Sequence, residues 1–324
     1  MKSITILAFL LFVLPTWFVP FTKDKLIIFA SLSYYGSDFD GDGIEDLSLW
    51  DARNGTLYFQ LSSNGKFFNK NFFHSEATFD PVFADYDGDG KTDFAFFQPD
   101  SGQWILYLTT GDGSAKKTFL GSIGDLPIPT NIDGDNKYEI AVWRPNSSGW
   151  LLTETDEEGN GISKVIFDGS FQDSVFAGDY DGDGKSDLLN WRPDDGNWHI
   201  VKSSTGFNFD QSEHIQHGLP WDVIVPNDYD ADGRCDLVVW RKSDLTWHIR
   251  YANREGFEKI QFGDENTIPL SADLNGDGIP ELITWTSSKK TWNVYDLKTK
   301  EALTYKWDVP DGCLPAVSIL QKFE

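Results

Sequence analysis

Short apolar runs that end in an aromatic residue recur along the chain: Leu47 to Trp50, Phe94 to Phe97, Ile140 to Trp143, Leu188 to Trp191, Leu237 to Trp240 and Leu282 to Trp285. Each is too short for a helix and rich in strand-forming residues, so each predicts a β-strand. Both faces are apolar, Phe94 and Phe96 on one side and Ala95 and Phe97 on the other, so the sheet must be covered on both sides. Seven residues beyond each aromatic stands a second fixed position, occupied by Leu57, Trp104, Trp150, Trp198, Trp247 and Trp292. Turn residues such as Arg144-Pro145-Asn146-Ser147-Ser148-Gly149 separate the two positions, which predicts one hairpin per repeat. A third apolar segment follows, as in Lys164 to Phe167 or Lys259 to Phe262, and then a short strand such as Pro81 to Ala84 or Ile268 to Leu270.

Four short strands in a unit of about 47 residues, repeated and packed against copies of itself, predict an all-β fold, a β-propeller of four-stranded blades. Six blades are favoured, with seven as the alternative. Leu314-Pro315-Ala316-Val317 resembles the strand that opens each unit, so the ring is expected to close by overlap of its two ends, but Leu32 to Ser37 competes for the same slot. Ten of the 13 tryptophans fall on the two repeat positions, and so regular a stripe predicts packing between blades.

An acidic loop precedes each of the six runs. The loops read Asp38-Phe-Asp40-Gly-Asp42-Gly43-Ile-Glu-Asp46, Asp85-Tyr-Asp87-Gly-Asp89-Gly90-Lys-Thr-Asp93, Asn131-Ile-Asp133-Gly-Asp135-Asn136-Lys-Tyr-Glu139, Asp179-Tyr-Asp181-Gly-Asp183-Gly184-Lys-Ser-Asp187, Asp228-Tyr-Asp230-Ala-Asp232-Gly233-Arg-Cys-Asp236 and Asp273-Leu-Asn275-Gly-Asp277-Gly278-Ile-Pro-Glu281. Oxygen ligands at positions 1, 3 and 5 with glycine at 6 suit a hard cation that takes several oxygens around a tight bend. The acid at position 9, the absence of Glu at position 12 and the strand-like flanks exclude the helical calcium hand. Without a cation, three or four carboxylates would crowd each loop and repel one another. Calcium, up to six ions, is therefore the expected cofactor, since magnesium resists an all-protein cage. Asn131 with Asn136 in the third loop, and Asn275 in the sixth, depart from the pattern.

Charge sharpens this picture. The 324 residues carry 51 acidic and 27 basic side chains, a formal charge of −24. Nucleic acid is excluded as a partner, because phosphate binding needs clustered Lys and Arg. Twenty-two of the acids occupy loop positions 1, 3, 5 and 9, and 40% hydrophobic residues exclude a disordered acidic tail. Cys235 and Cys313 are too few for a disulfide framework and read as unpaired. After Lys2, the apolar run Ile4 to Phe21 is followed by Lys23-Asp24-Lys25. This reads as an export signal or an N-terminal membrane anchor spanning residues 1–31, ahead of a propeller over 32–324. The expected location is extracellular, secreted or membrane-anchored, where weak calcium sites with dissociation constants of ~10⁻⁴–10⁻³ M suffice.

With units such as Ala177-Gly-Asp179-Tyr-Asp-Gly-Asp-Gly-Lys-Ser-Asp187-Leu-Leu-Asn-Trp191-Arg-Pro-Asp-Asp-Gly-Asn-Trp198 on the page, the chain resembles the FG-GAP or VCBS-type repeat over residues 32 to 320. That family is known from integrin α-subunit propellers, bacterial surface proteins and some calcium-containing propeller lectins. The resemblance implies that calcium held by the loop carboxylates rigidifies the connections between strands. Three function classes follow. The favoured one is a non-catalytic recognition or adhesion module for a glycan or cell-surface protein, marked by an exposed tryptophan or by Arg144, Arg192 and Arg241 at blade interfaces. The alternatives are a polysaccharide-acting lyase or hydrolase and a purely structural surface protein. Enzyme motifs are lacking, and His199 and His248 follow Trp198 and Trp247 at equivalent positions, which predicts strand slots.

Overall fold

The computed structural model describes residues 37–73, 79–155, 161–167 and 169–316; the N-terminal segment 1–31 lies outside them. Among the described residues no helix is long and apolar enough to cross a membrane. Six antiparallel sheets of four strands form a six-bladed β-propeller. The fourth blade shows the unit: Ser174–Gly178, Asp187–Arg192, Asn197–Val201 and Glu213–Gln216, hydrogen-bonded in chain order. Its acidic loop joins the first strand to the second.

Burial grades across each blade. The second strand is largely buried, throughout in Leu47–Asp51 and Glu281–Thr286, whereas fourth strands such as Phe67–Asn71, Lys116–Phe119 and Ala302–Lys306 are exposed. The outer edges carry Lys70, Lys116 and Lys117, charges that discourage pairing with another sheet edge. The repeat aromatics meet across the second and third strands: Trp191 is registered opposite Trp198, Trp240 opposite Trp247 and Trp285 opposite Trp292. All ten repeat tryptophans are buried, so they pack the blades and are not surface platforms.

Tryptophan is used here for its N–H as well as its area. Trp104 donates to the Leu120 carbonyl at 3.0 Å, Trp198 to that of His217 at 2.6 Å, and Trp285 to that of Cys313 at 3.2 Å. Each acceptor lies in the link to the next blade, so the indole ties a blade to the chain leaving it. Gly218, in one such link, has φ 108° and lies against Val239 and Trp191; a β-carbon there would be strained and crowded.

Both chain ends contribute to the first blade. Leu314 and Pro315 pair with Trp50 and Leu49, and the Ala316 N–H donates to the Ser48 carbonyl at 3.2 Å. Ser37 fills the loop end of that slot, accepting the Asp46 N–H at 3.0 Å, as Ala84 accepts that of Asp93 in the second blade. Of the two segments that compete for this slot in the sequence, Ser37 and Leu314 to Ala316 share it, and residues 32–36 lie outside the described residues. The thiols of Cys235 and Cys313 are free.

Replacing Trp191, fully buried at a blade interface, with alanine should lower unfolding free energy by about 3–5 kcal/mol through lost contacts and a residual cavity. Chemical denaturation with intact secondary structure at zero denaturant checks this.

Candidate functional site

Each acidic loop is first a hydrogen-bonded turn. In the first loop the Asp38 carboxylate accepts the N–H groups of Gly41 at 2.6 Å and Gly43 at 2.8 Å. Asp85, Asp179 and Asp273 repeat the arrangement with Gly88 and Gly90, Gly182 and Gly184, and Gly276 and Gly278. The position-5 carboxylate accepts the N–H two residues on, as Asp183 does from Lys185 at 2.9 Å. These bonds curl the loop back on itself, which gathers positions 1, 3 and 5 in the first loop but positions 1, 3 and 9 in the second, fourth and fifth, leaving Asp89, Asp183 and Asp232 outside those clusters; positive φ at Gly182 and Gly184 permits the bend.

The acid at position 9 fastens the loop to the blade. Asp187 accepts the Tyr180 N–H at 3.0 Å and the Ser203 N–H at 2.7 Å, so one side chain ties the loop to the turn between third and fourth strands. Asp46, Asp93 and Asp236 do the same with Phe39 and Ser62, Tyr86 and Thr109, and Tyr229 and Ala252. Hydroxyls on that turn, which the sequence reading missed, hold the outer carboxylate oxygens: Ser63 on Asp40 at 2.6 Å, Thr109 on Asp89 at 2.7 Å, Ser203 on Asp183 at 2.9 Å, with Thr110 on Asp87 and Ser204 on Asp181. Ser62-Ser63, Thr109-Thr110 and Ser203-Ser204, at a fixed distance from the loop start, were the available signal.

Five loops bring three acids together with oxygens within 4.8 Å of one another: Asp38, Asp40 and Asp42; Asp85, Asp87 and Asp93; Asp133, Asp135 and Glu139; Asp179, Asp181 and Asp187; Asp228, Asp230 and Asp236. The position-3 oxygens Oδ1 of Asp40, Asp181 and Asp230 are buried with no hydrogen-bond partner. A buried carboxylate oxygen without a donor is costly, and here it faces other carboxylates, so the donor set fits a cation. In the third loop Asn131 serves as an acceptor for the Gly134 N–H at 3.0 Å. The sixth loop is different: the Asn275 amide donates to Glu281 and Lys298 pairs with Asp277 at 3.0 Å, so internal donors meet two of its oxygens.

The loops also join one another. The position-8 N–H donates to the position-1 carbonyl of the preceding loop in Thr92 to Asp38, Tyr138 to Asp85, Ser186 to Asn131 and Cys235 to Asp179, at 2.6–2.8 Å. Glu45 closes the circle onto Asp273 at 2.9 Å, and its carboxylate accepts the Asp273 N–H at 2.7 Å. Only at the junction of the fifth and sixth loops is this bond missing, because position 8 is Pro280. Position 7 lies over the glycine of the preceding loop, as Lys91 does over Gly41 and Arg234 over Gly182.

Residues 38–96 and 228–284 match the model of the FG-GAP-like repeat. The chain carries FG-GAP-like repeats. The matched stretches contain the first, second, fifth and sixth FG-GAP-like loops. No curated protein matches the chain in sequence. Among solved structures the chain is similar to an Agrocybe aegerita lectin, in a structure addressing recognition of non-reducing terminal N-acetylglucosamine, with TM-score 0.58 and 15% identity over 87% of this chain and 79% of that one. It is also similar to a streptogramin B lyase, with TM-score 0.51 and 10% identity over 91% and 93%. At such identities the likeness is one of fold.

Other residues singled out in the sequence have structural partners. Arg144, Arg192 and Arg241 pair with Asp125, Asp173 and Asp222 at 2.8, 3.1 and 2.7 Å, and all three acids are buried. These arginines brace the links between blades and are not free for a ligand. Among the described residues the exposed tryptophan is Trp221, outside both repeat positions and 65% exposed, at the end of the blades away from the acidic loops. His199 and His248 lie in third strands opposite Asn190 and Val239. The His217 ring meets the His248 carbonyl at 3.1 Å, and burial holds its pKa below the usual value.

Burial, reinforced by neighbouring carboxylates, pushes Asp46, Asp93 and Asp187 up to about 6 and Asp236, Glu139 and Glu281 up to about 7. In chelator the folded chain thus holds protons that the unfolded chain releases near pH 4, so stability should fall as pH rises from about 4 to 7. A melting temperature in chelator that is higher at pH 5 than at pH 8 is the expected reading; the opposite order contradicts the buried, unneutralised carboxylates.

Proposed function

We propose that this chain is an exported, calcium-stabilised β-propeller that recognises a glycan or cell-surface protein without catalysing a reaction. The observation that carries the calcium reading is the set of buried, unpartnered oxygens of Asp40, Asp181 and Asp230 within acidic clusters. The ligand sets are Asp38, Asp40, Asp42 and Asp46 in the first loop and the corresponding positions of the next four, the sixth being weakest. Calcium supplies positive charge to carboxylates that otherwise repel. Because the position-9 acid is also bonded to the turn between third and fourth strands, neutralising the cluster stiffens that end of the blade.

Recognition is supported by what the carboxylates already do. Each accepts backbone or hydroxyl donors that shape a loop, and acids held by a cation stay ionised and serve poorly as proton donors. The lectin among the similar folds is consistent with a glycan, and the apolar segment 4–21 supports export, as a cleaved signal or as an anchor. Calorimetric titration of the chelated protein should show about five ions with a rise in melting temperature. Asp230→Asn should remove one site and leave the others. Calcium affinity should fall as pH drops through 7 to 6, where the position-9 acids take up protons. Absence of calcium uptake at millimolar concentration overturns the assignment.

A further inference from the structure

The seven arginines of the chain divide into two groups. Four are ion-paired: Arg53 with Asp51, Arg144 with Asp125, Arg192 with Asp173 and Arg241 with Asp222. The other three, Arg234, Arg250 and Arg254, make no ion pair among the described residues, and all three line one groove of about 880 Å³ between the fourth and fifth blades. Lys202 adds a fourth cation. Against these stand two carboxylates, Glu213, already paired with Lys202 at 2.6 Å, and Glu255. In a chain of formal charge −24, this lining holds more fixed cations than anions, with the loop acids Asp179, Asp228 and Asp236 set behind it around Cys235.

Arg234 has counterparts in Lys91, Lys137 and Lys185, but Arg250 sets the fifth blade apart. Arg250 is registered opposite Leu237, and the residues in the same place in the other five blades are Gln60, Tyr107, Thr153, Val201 and Tyr295. Arg254 lies flat on Tyr251, its guanidinium 3.4 Å from the ring centre, while Glu258, which accepts the Tyr251 hydroxyl at 3.0 Å, and Asp230 feel its charge without closing an ion pair. Arg250 reaches only the Gln216 carbonyl, at 3.5 Å, and Arg234 lies along Gly182 of the fourth loop. A preorganised guanidinium with unused donors is matched to a carboxylate or sulfate. Phe257, 61% exposed on the rim, offers an apolar face of the sort that packs against the C–H side of a sugar ring.

We infer that the groove between the fourth and fifth blades binds an anionic saccharide, its carboxylate or sulfate held by Arg250 and Arg254 and a ring seated on Phe257. This rests on the recognition reading above and narrows it. The volume suits a short oligosaccharide.

The test uses the whole protein with calcium present. Binding is measured by calorimetry for a galacturonate oligosaccharide, a sulfated galactose oligosaccharide and a neutral galactose oligosaccharide of equal length, with Arg250→Gln, Arg254→Gln, Phe257→Ala and, as a remote control, Lys289→Gln. One charged probe or both should bind at least tenfold more tightly than the neutral one, and the preference should weaken with salt. Each arginine variant should lose about tenfold or more towards the charged probe with an unchanged melting temperature. Phe257→Ala should weaken the charged saccharide but not free sulfate, and Lys289→Gln should change nothing. Neutral and charged probes binding alike, or arginine variants binding like the wild type, overturns the groove and leaves saccharide recognition standing. No binding by any probe overturns both.

Discussion

A hydrogen bond from the backbone of one acidic loop to the carbonyl that opens the loop before it is what the remainder of the molecule leans on. It couples neighbouring blades at the end where their charges are concentrated, and it appears at five of six junctions. Blades packed only by tryptophan would be free to slide, since apolar contact is not directional. The loop-to-loop bond fixes their register, and with it the direction in which each cluster of carboxylates points. Fold and acidic clusters are thus one construction: the residues that curl a loop around its centre also hold that loop against its neighbour.

Two opposing demands meet in those loops. Hydrogen bonding wants the carboxylates ionised and close to backbone donors, while burial and mutual repulsion press them towards protonation, which is why the position-9 acids titrate high. Donors satisfy the position-1 and position-9 oxygens but leave some position-3 oxygens bare. The sixth loop reaches a different balance with Asn275 and Lys298 on hand. Its contrast with the other five shows what a loop of this shape looks like when protein groups supply part of the positive charge.

Much of this was legible in the chain because the unit repeats. A period near 47 residues exposed the strands, the loops and the tryptophan stripe, and a stripe that regular could only be packing. What escaped was whatever depends on a partner distant in sequence or on one unit differing from its fellows. Arg144, Arg192 and Arg241 looked available because nothing marks Asp125, Asp173 and Asp222 as their partners except a spacing of 19 residues. Sharing of the first strand slot by Ser37 and Leu314–Ala316 could not be read from two segments of similar pattern. The groove beside Arg250 and Arg254 was invisible for the opposite reason: averaging over repeats hides a feature found in one of them.

Pro280 gives the ring an uneven circumference. Without an N–H at that place, the fifth and sixth blades are joined at this end by a side-chain bond from Asn227 to the Ser271 hydroxyl at 3.1 Å, while the seam formed by the chain ends is secured twice, through Glu45 and through the borrowed strand. At that junction the register rests on a side chain and on the shared core of Trp240, Trp247, Leu270 and Leu282 in place of a backbone bond, whereas the joint where the ends of the ring meet keeps its backbone bond.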